Sequence, residues 1–191
     1  MIGIDGCGGA GKSTLASHLQ EQLPAEVTIV HQDDFYLTSH QRKMKENNEP
    51  GSDFDWRRVR SQILHPLSQN REGYYQRYDW ESDQLAEWYK IPIGGIVIVE
   101  GVYATRNELA HFYDFRIWIE TPHDVRLRRG LTRDGEDARV QWEKEWMPAE
   151  EQYAMQQKPY EQAHLILDGT GKYAAFSNRE WFLLNRMGDF I

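Results

Sequence analysis

The first residues whose types and spacing suggest chemistry form a glycine-rich loop, Gly6-Cys-Gly-Gly-Ala-Gly-Lys12-Ser13, which fits the pattern G-x-x-x-x-G-K-[ST]. A short apolar segment precedes the loop and a helical pattern follows it, which is the context that phosphate binding requires. Main-chain N–H groups of such a loop point at phosphate oxygens, the lysine reaches the β and γ phosphates, and the serine hydroxyl coordinates Mg²⁺. The residues expected to bind a nucleotide are Gly6, Gly8, Gly9, Ala10, Gly11, Lys12, Ser13 and Thr14.

A glycine-rich loop can also arise by chance or serve another class of nucleotide-binding protein. A chance turn would match the pattern in about one chain in a hundred at average composition. Phosphate loops also occur in GTPases, but a GTPase needs a guanine-reading N-K-x-D, which the sequence lacks. Asp168-Gly-Thr-Gly171 matches the D-x-x-G of a switch loop, yet it follows the last predicted strand, so we expect a turn there. For Cys7, inside the loop, we expect a small buried filler, with redox sensitivity as the alternative.

Carboxylates follow two of the predicted buried strands. Asp33 and Asp34 come after one strand and Glu100 after another, and ligands of open parallel sheets bind beyond the carboxyl ends of the strands. A carboxylate at position 33 or 34 could accept the proton of an attacking hydroxyl, and Glu100 could bind Mg²⁺ through water. The alternative for the Asp pair is a helix cap or a solvated loop. Asp55 precedes a helical pattern and by itself would be interpreted as an N-cap.

Three arginines, Arg126, Arg129 and Arg133, are spaced i, i+3 and i+7 and so share one face of a predicted helix. Guanidinium groups that close over a transferred phosphoryl group stabilise its charge and exclude water. We therefore predict a short lid in which Arg129 and Arg133 act catalytically and Arg126 contacts substrate. A charged turn at residues 134–137 is expected to hinge this lid. The alternative is a solvated face paired with neighbouring carboxylates.

Alternating strands and helices must position these residues. Strands are predicted from apolar runs at Met1–Asp5, Val27–Val30, Ile96–Val99, Phe115–Ile119 and Leu165–Leu167. Helices are predicted from apolar spacing at Lys12–Leu23, Arg58–Leu67, Pro122–Arg133 and Arg139–Tyr160. The polar segment Thr38–Ser52 is expected to be a loop. This alternation favours an α/β fold with a doubly wound parallel sheet of about five strands, in a single domain over residues 1–191.

Composition limits the expected partners and location. The 191 residues carry 22 Lys and Arg against 30 Asp and Glu, a formal net charge of -8, which disfavours nucleic acid and anionic membranes as partners. The single cysteine permits no internal disulfide. No secretory leader and no apolar run of about 18 residues occurs, so a cytoplasmic location is expected. The histidines lack the paired spacing of a zinc site.

Five short motifs occur in the order seen in uridine kinases: Gln32-Asp-Asp-Phe-Tyr36, Asp53-Phe-Asp55, Tyr78-Asp-Trp80, Val99-Glu-Gly101 and Arg126-Leu-Arg-Arg129. Over about residues 1–170 the chain resembles the uridine kinase and phosphoribulokinase group of P-loop kinases, which includes the nicotinamide riboside kinases. The resemblance implies a P-loop NTPase fold of the nucleoside kinase type with an arginine-bearing lid. It also implies ATP and Mg²⁺ as cofactors and a small hydroxylated molecule, a nucleoside first, as acceptor.

The resemblance also implies roles for single residues. It makes Asp33 the general base toward the 5′-hydroxyl and Asp55 the carboxylate that holds the ribose hydroxyls. Tyr78 corresponds to a tyrosine beside the nucleobase, and Glu100 to a residue near Mg²⁺. Within the aromatic cluster of residues 74–80, we expect Tyr78 to contact substrate and the other rings mostly to pack.

The sequence departs from uridine kinases in two places. A histidine usually follows the Tyr-Asp-aromatic motif, where this chain has Glu81-Ser-Asp83. The lid turn is shortened to Asp134-Gly-Glu-Asp137, closer in length to that of the nicotinamide riboside kinases. The predicted function is 5′-phosphorylation of uridine or cytidine; nicotinamide riboside or another hydroxylated metabolite is the alternative acceptor. From a different class, a catalytically silent nucleotide-binding regulator stays open, as does a homo-oligomer. Residues 172–191 form a tail to which the sequence assigns no role.

Overall fold

The computed structural model describes residues 1–45 and 49–171, together with the backbone of residues 182–186. The strands of this part of the chain are β1 Ile2–Asp5, β2 Val27–His31, β3 Gly73–Asp79, β4 Gln84–Ile91, β5 Ile96–Glu100, β6 Phe115–Glu120, β7 Leu165–Asp168 and β8 Phe182–Arg186. Five shorter or regular helices are α1 Lys12–Gln22, α2 Ser39–Met44, α4 Asn107–Ala110, α5 His123–Asp134 and α7 Pro159–Gln162. Two longer ones contain a π-helical stretch: α3 is Trp56–Arg58, Val59–Leu64 and His65–Ser68, and α6 is Arg139–Gln141, Trp142–Trp146 and Met147–Gln157.

Six strands form one sheet in the order β2-β5-β1-β6-β7-β8. The first five are parallel, and β8 pairs antiparallel with β7. Because β1 lies in the middle, the chain builds the sheet outward on both sides of it, as in a doubly wound fold. The α/β class and the five parallel strands that the sequence predicts are confirmed.

The core lies on both faces of this sheet, and β5 shows why. Val97 and Val99 face a cluster that packs β5 against α3 and α4, whereas Ile98 faces a cluster that packs it against α1. Successive residues of a strand point to opposite faces, so a strand covered on both sides needs apolar residues at every position. This is the reason that an unbroken apolar run marks β5 in the sequence.

Two parts of the fold differ from the sequence-based prediction. The segment Thr38–Ser52 is not all loop, because α2 occupies residues 39–44. Its N-cap Thr38 accepts a hydrogen bond from the Gln41 N–H, and the Gln41 side chain accepts one from the Thr38 N–H, which forms a capping box. None of the six residues of α2 is buried, so its sequence carries no apolar periodicity.

The second difference is a separate two-stranded sheet, in which β3 and β4 pair antiparallel as a hairpin. Tyr75 and Ile91 anchor the hairpin in the same core cluster as α3. Much of β4 is exposed and mixes charged with aromatic residues, so it lacks the clean alternation that predicts a strand.

The predicted lid region begins where α5 ends. Gly135 follows α5 with φ of +89°, a backbone conformation that favours glycine, and a 3₁₀ turn at Glu136–Ala138 leads into α6. Trp142 and Met147 of α6 pack against Leu131 of α5, so the two helices cover each other. In the described part of the chain, no helix combines the length and apolar character needed to cross a membrane.

Candidate active site

The phosphate loop is held tightly between β6 and α5. Gly6, Gly9 and Gly11 all have positive φ angles, of +149°, +74° and +104°. A Cβ atom at Gly6 would lie 2.7 Å from the Ile119 carbonyl oxygen, and one at Gly9 would lie 2.6 Å from that of Arg126. Only glycine fits both conditions. The sequence-based assignment of a strand, a glycine-rich loop and a helix is therefore confirmed as a structure.

Lys12 begins α1 and is buried, and its Nζ donates a 2.9 Å hydrogen bond to the Cys7 carbonyl oxygen inside the loop. The bond keeps the ammonium group beside the main-chain N–H groups of the loop. Cys7 itself packs with Trp118 and Tyr153, as expected of a buried filler. Burial, followed by the charge of Glu150, raises the pKa of the Cys7 thiol to about 12, which opposes a redox-reactive thiolate.

Ser13 and Glu100 meet at the carboxyl edge of the sheet. The Ser13 hydroxyl donates to Glu100 Oε1 at 3.0 Å, and His31 Nδ1 lies 2.6 Å from the same oxygen. Burial alone would raise the pKa of Glu100, but the His31 hydrogen bond and the nearby Lys12 charge together hold it below its ordinary value. A carboxylate next to a hydroxyl is the set of oxygen donors that Mg²⁺ takes beside nucleotide phosphates. The described residues contain no cluster of three or more His, Cys, Asp or Glu suited to a metal.

The two aspartates after β2 have different surroundings. Asp34 accepts a 2.7 Å hydrogen bond from the Tyr75 hydroxyl, whereas no described residue donates a hydrogen bond to the Asp33 side chain. Asp33 remains accessible to solvent, yet protein atoms crowd around it at the edge of the sheet. Desolvation and the negative charge of Glu100 raise the pKa of Asp33, and Lys12 and Arg133 oppose the rise. Of the pair, Asp33 has the open carboxylate.

Asp55 lies beside this edge because main-chain bonds join two segments. The Asp55 N–H donates to the Phe35 carbonyl at 2.8 Å, and Tyr36 and Phe54 form an isolated β-bridge. Asp55 is the N-cap of α3: its Oδ1 accepts the Arg58 N–H at 3.2 Å. No described residue donates to its Oδ2. The capping interpretation is thus confirmed, and it leaves one oxygen available for a ligand.

The three arginines predicted to share one face of α5, Arg126, Arg129 and Arg133, have separate environments rather than one shared solvated face. Arg126 is buried, with Nε donating to the Thr121 carbonyl at 3.0 Å and Nη1 lying 3.4 Å from Glu150 Oε2. Arg129 donates to three carbonyl oxygens, those of Gly9 at 3.1 Å and of residues 169 and 170 at 2.7 and 3.0 Å. Both guanidinium groups thus bind the protein around the phosphate loop.

Arg133, unlike Arg126 and Arg129, is exposed. It forms a two-point ion pair with Asp134, with bonds of 2.7 and 3.0 Å, as the solvated-face alternative expects. This hydrogen bonding raises the pKa of Arg133, and the charge of Asp33 adds to the rise, which places the guanidinium within electrostatic reach of that carboxylate. The catalytic roles of Arg129 and Arg133 and the substrate role of Arg126 stay predictions.

The aromatic cluster is divided between core and surface. Tyr75 is buried, as expected, but Tyr74 is exposed, so the expectation that its ring packs is wrong. Trp80 is 56% exposed and packs with one face only. Tyr78 is only 3% exposed, and its hydroxyl donates to Asp83 Oδ1 at 2.7 Å. Trp80 stacks on Tyr36 with ring centroids 4.5 Å apart. A contact between Tyr78 and substrate stays a prediction.

Comparisons with known proteins agree with this geometry. A profile of the Phosphoribulokinase / Uridine kinase family matches residues 1–168. The chain belongs to this family. The uridine kinase of Ureaplasma parvum is 30% identical over 142 residues, which are 70% of this chain and 68% of that protein. The uridine kinase of Clostridium novyi is 31% identical over 141 residues, 70% of this chain and 67% of that protein.

A solved structure titled as a possible uridine kinase from Bacillus stearothermophilus has a TM-score of 0.67 with this chain, at 22% identity over 86% of each chain. At that identity the likeness supports the P-loop kinase fold. Membership in the phosphoribulokinase and uridine kinase family confirms the resemblance found in the motifs. It also makes the chain an ATP-dependent phosphotransferase that acts on a hydroxyl group.

In this member of the family, two buried acids beside the loop were missed by sequence reasoning. Asp5 accepts hydrogen bonds from the Gly6 N–H, the Thr105 N–H and hydroxyl and the Tyr153 hydroxyl, all at 2.7–2.9 Å. Desolvation raises its pKa in spite of these bonds. Glu150 contacts Gly8. The sequence could have identified Asp5, because it is a polar residue at the end of an apolar strand. Glu150 could not have been identified, because it lies in the middle of a charged helix.

Proposed function

We propose that this chain transfers the γ-phosphoryl group of ATP to the 5′-hydroxyl of a nucleoside, with uridine or cytidine as the first choice. The observation that carries the proposal is the open carboxylate of Asp33 within electrostatic reach of Lys12 in the phosphate loop. Asp55, with one free oxygen, is bonded to the segment that directly follows Asp33. The uridine kinases among its relatives support the choice of a nucleoside.

The loop fits a triphosphate, and the Ser13–Glu100 pair fits Mg²⁺. Residues Gly6–Thr14 would hold the phosphates through main-chain N–H groups and the Lys12 ammonium. Ser13 and Glu100 would hold Mg²⁺, which would supply positive charge to neutralise the phosphates. Few protein ligands suffice there, because Mg²⁺ usually keeps several waters and phosphate oxygens in its shell.

Asp33 acts in the transfer as the general base. It would accept the proton of the acceptor hydroxyl while that oxygen forms a bond to the γ-phosphorus, and the bond from the γ-phosphorus to the β–γ bridging oxygen breaks to release ADP. Lys12 and Arg133 would stabilise the charge on the transferred group. Asp55 Oδ2 would accept hydrogen bonds from the ribose hydroxyls and so align the 5′-oxygen.

A second acceptor, nicotinamide riboside, is favoured by the residue at position 83. The segment Glu81-Ser-Asp83 stands where uridine kinases usually carry a histidine, and its Asp83 places a carboxylate at the end of the hairpin, bonded to Tyr78. A negative charge in this place suits a cationic base better than a pyrimidine. Against this choice, Asp83 already accepts hydrogen bonds from Ser39 and Tyr78, which leaves it less able to read a ligand.

A coupled assay of ADP release tests the proposal across a panel of uridine, cytidine, nicotinamide riboside, their 2′-deoxy forms and simple sugars. We expect ATP consumption that depends on an added ribonucleoside, with much weaker use of the 2′-deoxy forms. Preference for nicotinamide riboside would select the second acceptor. Tight ATP binding with no turnover on any acceptor would contradict the kinase proposal and favour a nucleotide-binding regulator.

A further inference from the structure

A buried carboxylate outside the predicted site contacts the phosphate loop. Glu150, in α6, is 6% exposed, and its Oε2 accepts the main-chain N–H of Gly8 at 2.9 Å. The same oxygen lies 3.4 Å from Nη1 of Arg126. Because 142 positions separate Glu150 from Gly8, the contact depends on the tertiary fold rather than on local sequence.

The loop is shaped to accept this contact. A Cβ atom at Gly8 would lie 2.8 Å from Glu150 Oε1 and 3.0 Å from the ring of Trp142. The phosphate-loop pattern leaves position 8 unspecified, so phosphate binding alone does not require glycine there. Glycine is required at position 8 because α6 packs so closely against it.

One turn further along, α6 reaches the start of the loop. The Tyr153 hydroxyl donates to Asp5 Oδ2 at 2.7 Å, and Asp5 Oδ1 accepts the Gly6 N–H at 2.7 Å. Glu150 and Tyr153, spaced i and i+3 on one helix, therefore hold the loop at two points, directly at Gly8 and through Asp5 at Gly6.

Two cations balance the charge of Glu150. Arg126 is fixed by the Thr121 carbonyl at 3.0 Å and by Glu151 at 3.3 Å, and Lys12 also attracts the Glu150 carboxylate. A buried carboxylate without a partner would be costly and would repel a triphosphate. Paired with Arg126 and Lys12, the Glu150 carboxylate can hold the loop without leaving a buried charge unpaired.

We propose that Glu150 is a positioning residue for phosphoryl transfer, which holds the Gly8 peptide and the Arg126 guanidinium in a fixed relation so that the loop donors stay aimed at the phosphates. The inference rests on the proposed kinase function. Glycines at positions 6, 8 and 9 give this part of the loop unusual backbone freedom, which must be restrained before transfer. Preorganised donors are worth more in catalysis than mobile ones.

Two substitutions of Glu150 and one control substitution on the same helix test this role. E150Q keeps the size and an acceptor for the Gly8 N–H but loses the charge that pairs with Arg126, and E150A loses both. E143Q is the matched control, since Glu143 lies on the same helix and pairs with the exposed Arg139 rather than with Arg126. We expect kcat to fall about tenfold in E150Q and about a hundredfold in E150A, with kcat unchanged in E143Q and the acceptor KM unchanged in all three.

Hydrogen exchange of loop residues 6–11, measured by mass spectrometry, gives a readout that does not need activity. Exchange in the loop should be faster in E150A than in the unmodified protein and in E143Q. Unchanged exchange of the loop in E150A would overturn the role of Glu150, whether or not an acceptor has been found. Failure to find any acceptor would contradict the proposed kinase function but not the role of Glu150 in holding the loop.

Two kinetic outcomes would also overturn it. A lower KM for ATP in E150Q with kcat unchanged would mean that the carboxylate competes with phosphate for the Gly8 N–H. An unchanged kcat in E150A together with a lower melting temperature would leave Glu150 a purely structural residue. If E150A does not fold, E150Q decides the matter through the same kinetic and exchange measurements.

Discussion

The Ser13 hydroxyl and the Glu100 carboxylate are 3.0 Å apart although 87 positions separate them in the chain. Ser13 lies in the first turn of α1 and Glu100 is the last residue of β5, and β5 is paired with β1, the strand that leads into the phosphate loop. Parallel pairing brings the carboxyl ends of β1 and β5 to one edge, so two oxygen donors from distant parts of the sequence form a single site.

Glu100→Gln tests this site as the Mg²⁺ site. The loss of charge should raise the Mg²⁺ concentration for half-maximal rate about 10–100-fold, with partial recovery at high Mg²⁺. Initial rates at saturating ATP across a Mg²⁺ titration measure the shift. Glu120→Gln, at the end of β6, is the control because its side chain, among the described residues, bonds to the Trp118 indole alone. An unchanged Mg²⁺ dependence in the Glu100 variant would remove that residue from the metal site.

Lys12→Ala should abolish transfer without unfolding the protein. It removes the ammonium group that follows the γ-phosphoryl group into the transition state, so kcat should fall by at least ~10²–10³-fold. Lys158→Ala, an exposed lysine paired with Glu161, should have normal kinetics. A coupled assay and a melting curve of both variants make the comparison. Near-normal turnover in a folded Lys12 variant would contradict the kinase assignment.

Asp33→Asn and Asp34→Asn distinguish the base from its neighbour. Asp33→Asn keeps the size of the side chain but removes the proton acceptor, so kcat should fall by ~10²–10⁴-fold with ATP affinity little changed. Asp34→Asn should affect kcat far less, because Asp34 is engaged by the Tyr75 hydroxyl. Steady-state kinetics with a binding measurement for ATP give both numbers. A larger effect at position 34 would reverse the assignment.

The pH profile gives an independent test of Asp33. A general base works only when deprotonated, and desolvation with the Glu100 charge raises the pKa of Asp33 above its ordinary value of 3.8. The rate constant kcat/KM should therefore be lost as the pH falls through a value above 3.8, and Asp33→Asn should lack this acid limb. An acid limb that persists unchanged in the variant would belong to another group.

Asp55→Asn and Asp55→Ala separate capping from ligand binding. Asparagine is also a good N-cap, so Asp55→Asn should keep the melting temperature but raise the nucleoside KM, because one charged acceptor for the ribose hydroxyls is lost. Asp55→Ala should raise KM and also cost ~0.5–2 kcal/mol of stability. A 2′-deoxynucleoside should lose less in either variant. Equal effects on both nucleosides, or an unchanged KM in Asp55→Asn, would leave Asp55 as a cap alone.

Asp83 should make the stability of the fold depend on pH in the acid range. Hydrogen bonds from Ser39 and Tyr78 lower its pKa from 3.8 to about 2, so the folded state favours the carboxylate. This contribution is present above about pH 4 and is lost as the pH falls from about 4 to about 2. Asp83→Asn should therefore show a smaller loss of stability across that window in denaturant titrations. Asp124→Asn, at an exposed position of α5, should match the unmodified protein.

Sequence reasoning located the elements that bury apolar residues on both faces or along one stripe. The apolar runs of β5 and β6 and the leucines of α1 were sufficient to predict these elements, because burial against the sheet allows few polar residues. The hairpin and α2 could not be found in this way. Polar links, such as the bonds from Ser39 to Asp83, join α2 to the turn of the hairpin, and they depend on two segments meeting in the fold.

The site was predictable where one segment contains the whole pattern, as in the phosphate loop. To predict that the carboxylates at the strand ends lie together, the topology was also required, and the predicted parallel sheet supplied it. The environments of Arg126 and Arg129 could not be inferred from their spacing. A spacing of i and i+3 predicts a shared helical face, but whether that face meets solvent, Glu150 or main-chain carbonyls depends on packing.

The β3–β4 hairpin forms a sheet of its own, so the two halves of the candidate site rest on different supports. The nucleotide side is built on the six-stranded sheet, whereas Tyr78, Trp80 and Asp83 all belong to the hairpin or its turn. Substitutions in the turn of the hairpin therefore leave the strand register of the main sheet untouched. The phosphate loop can keep its shape while the surface around Tyr78 and Trp80 changes.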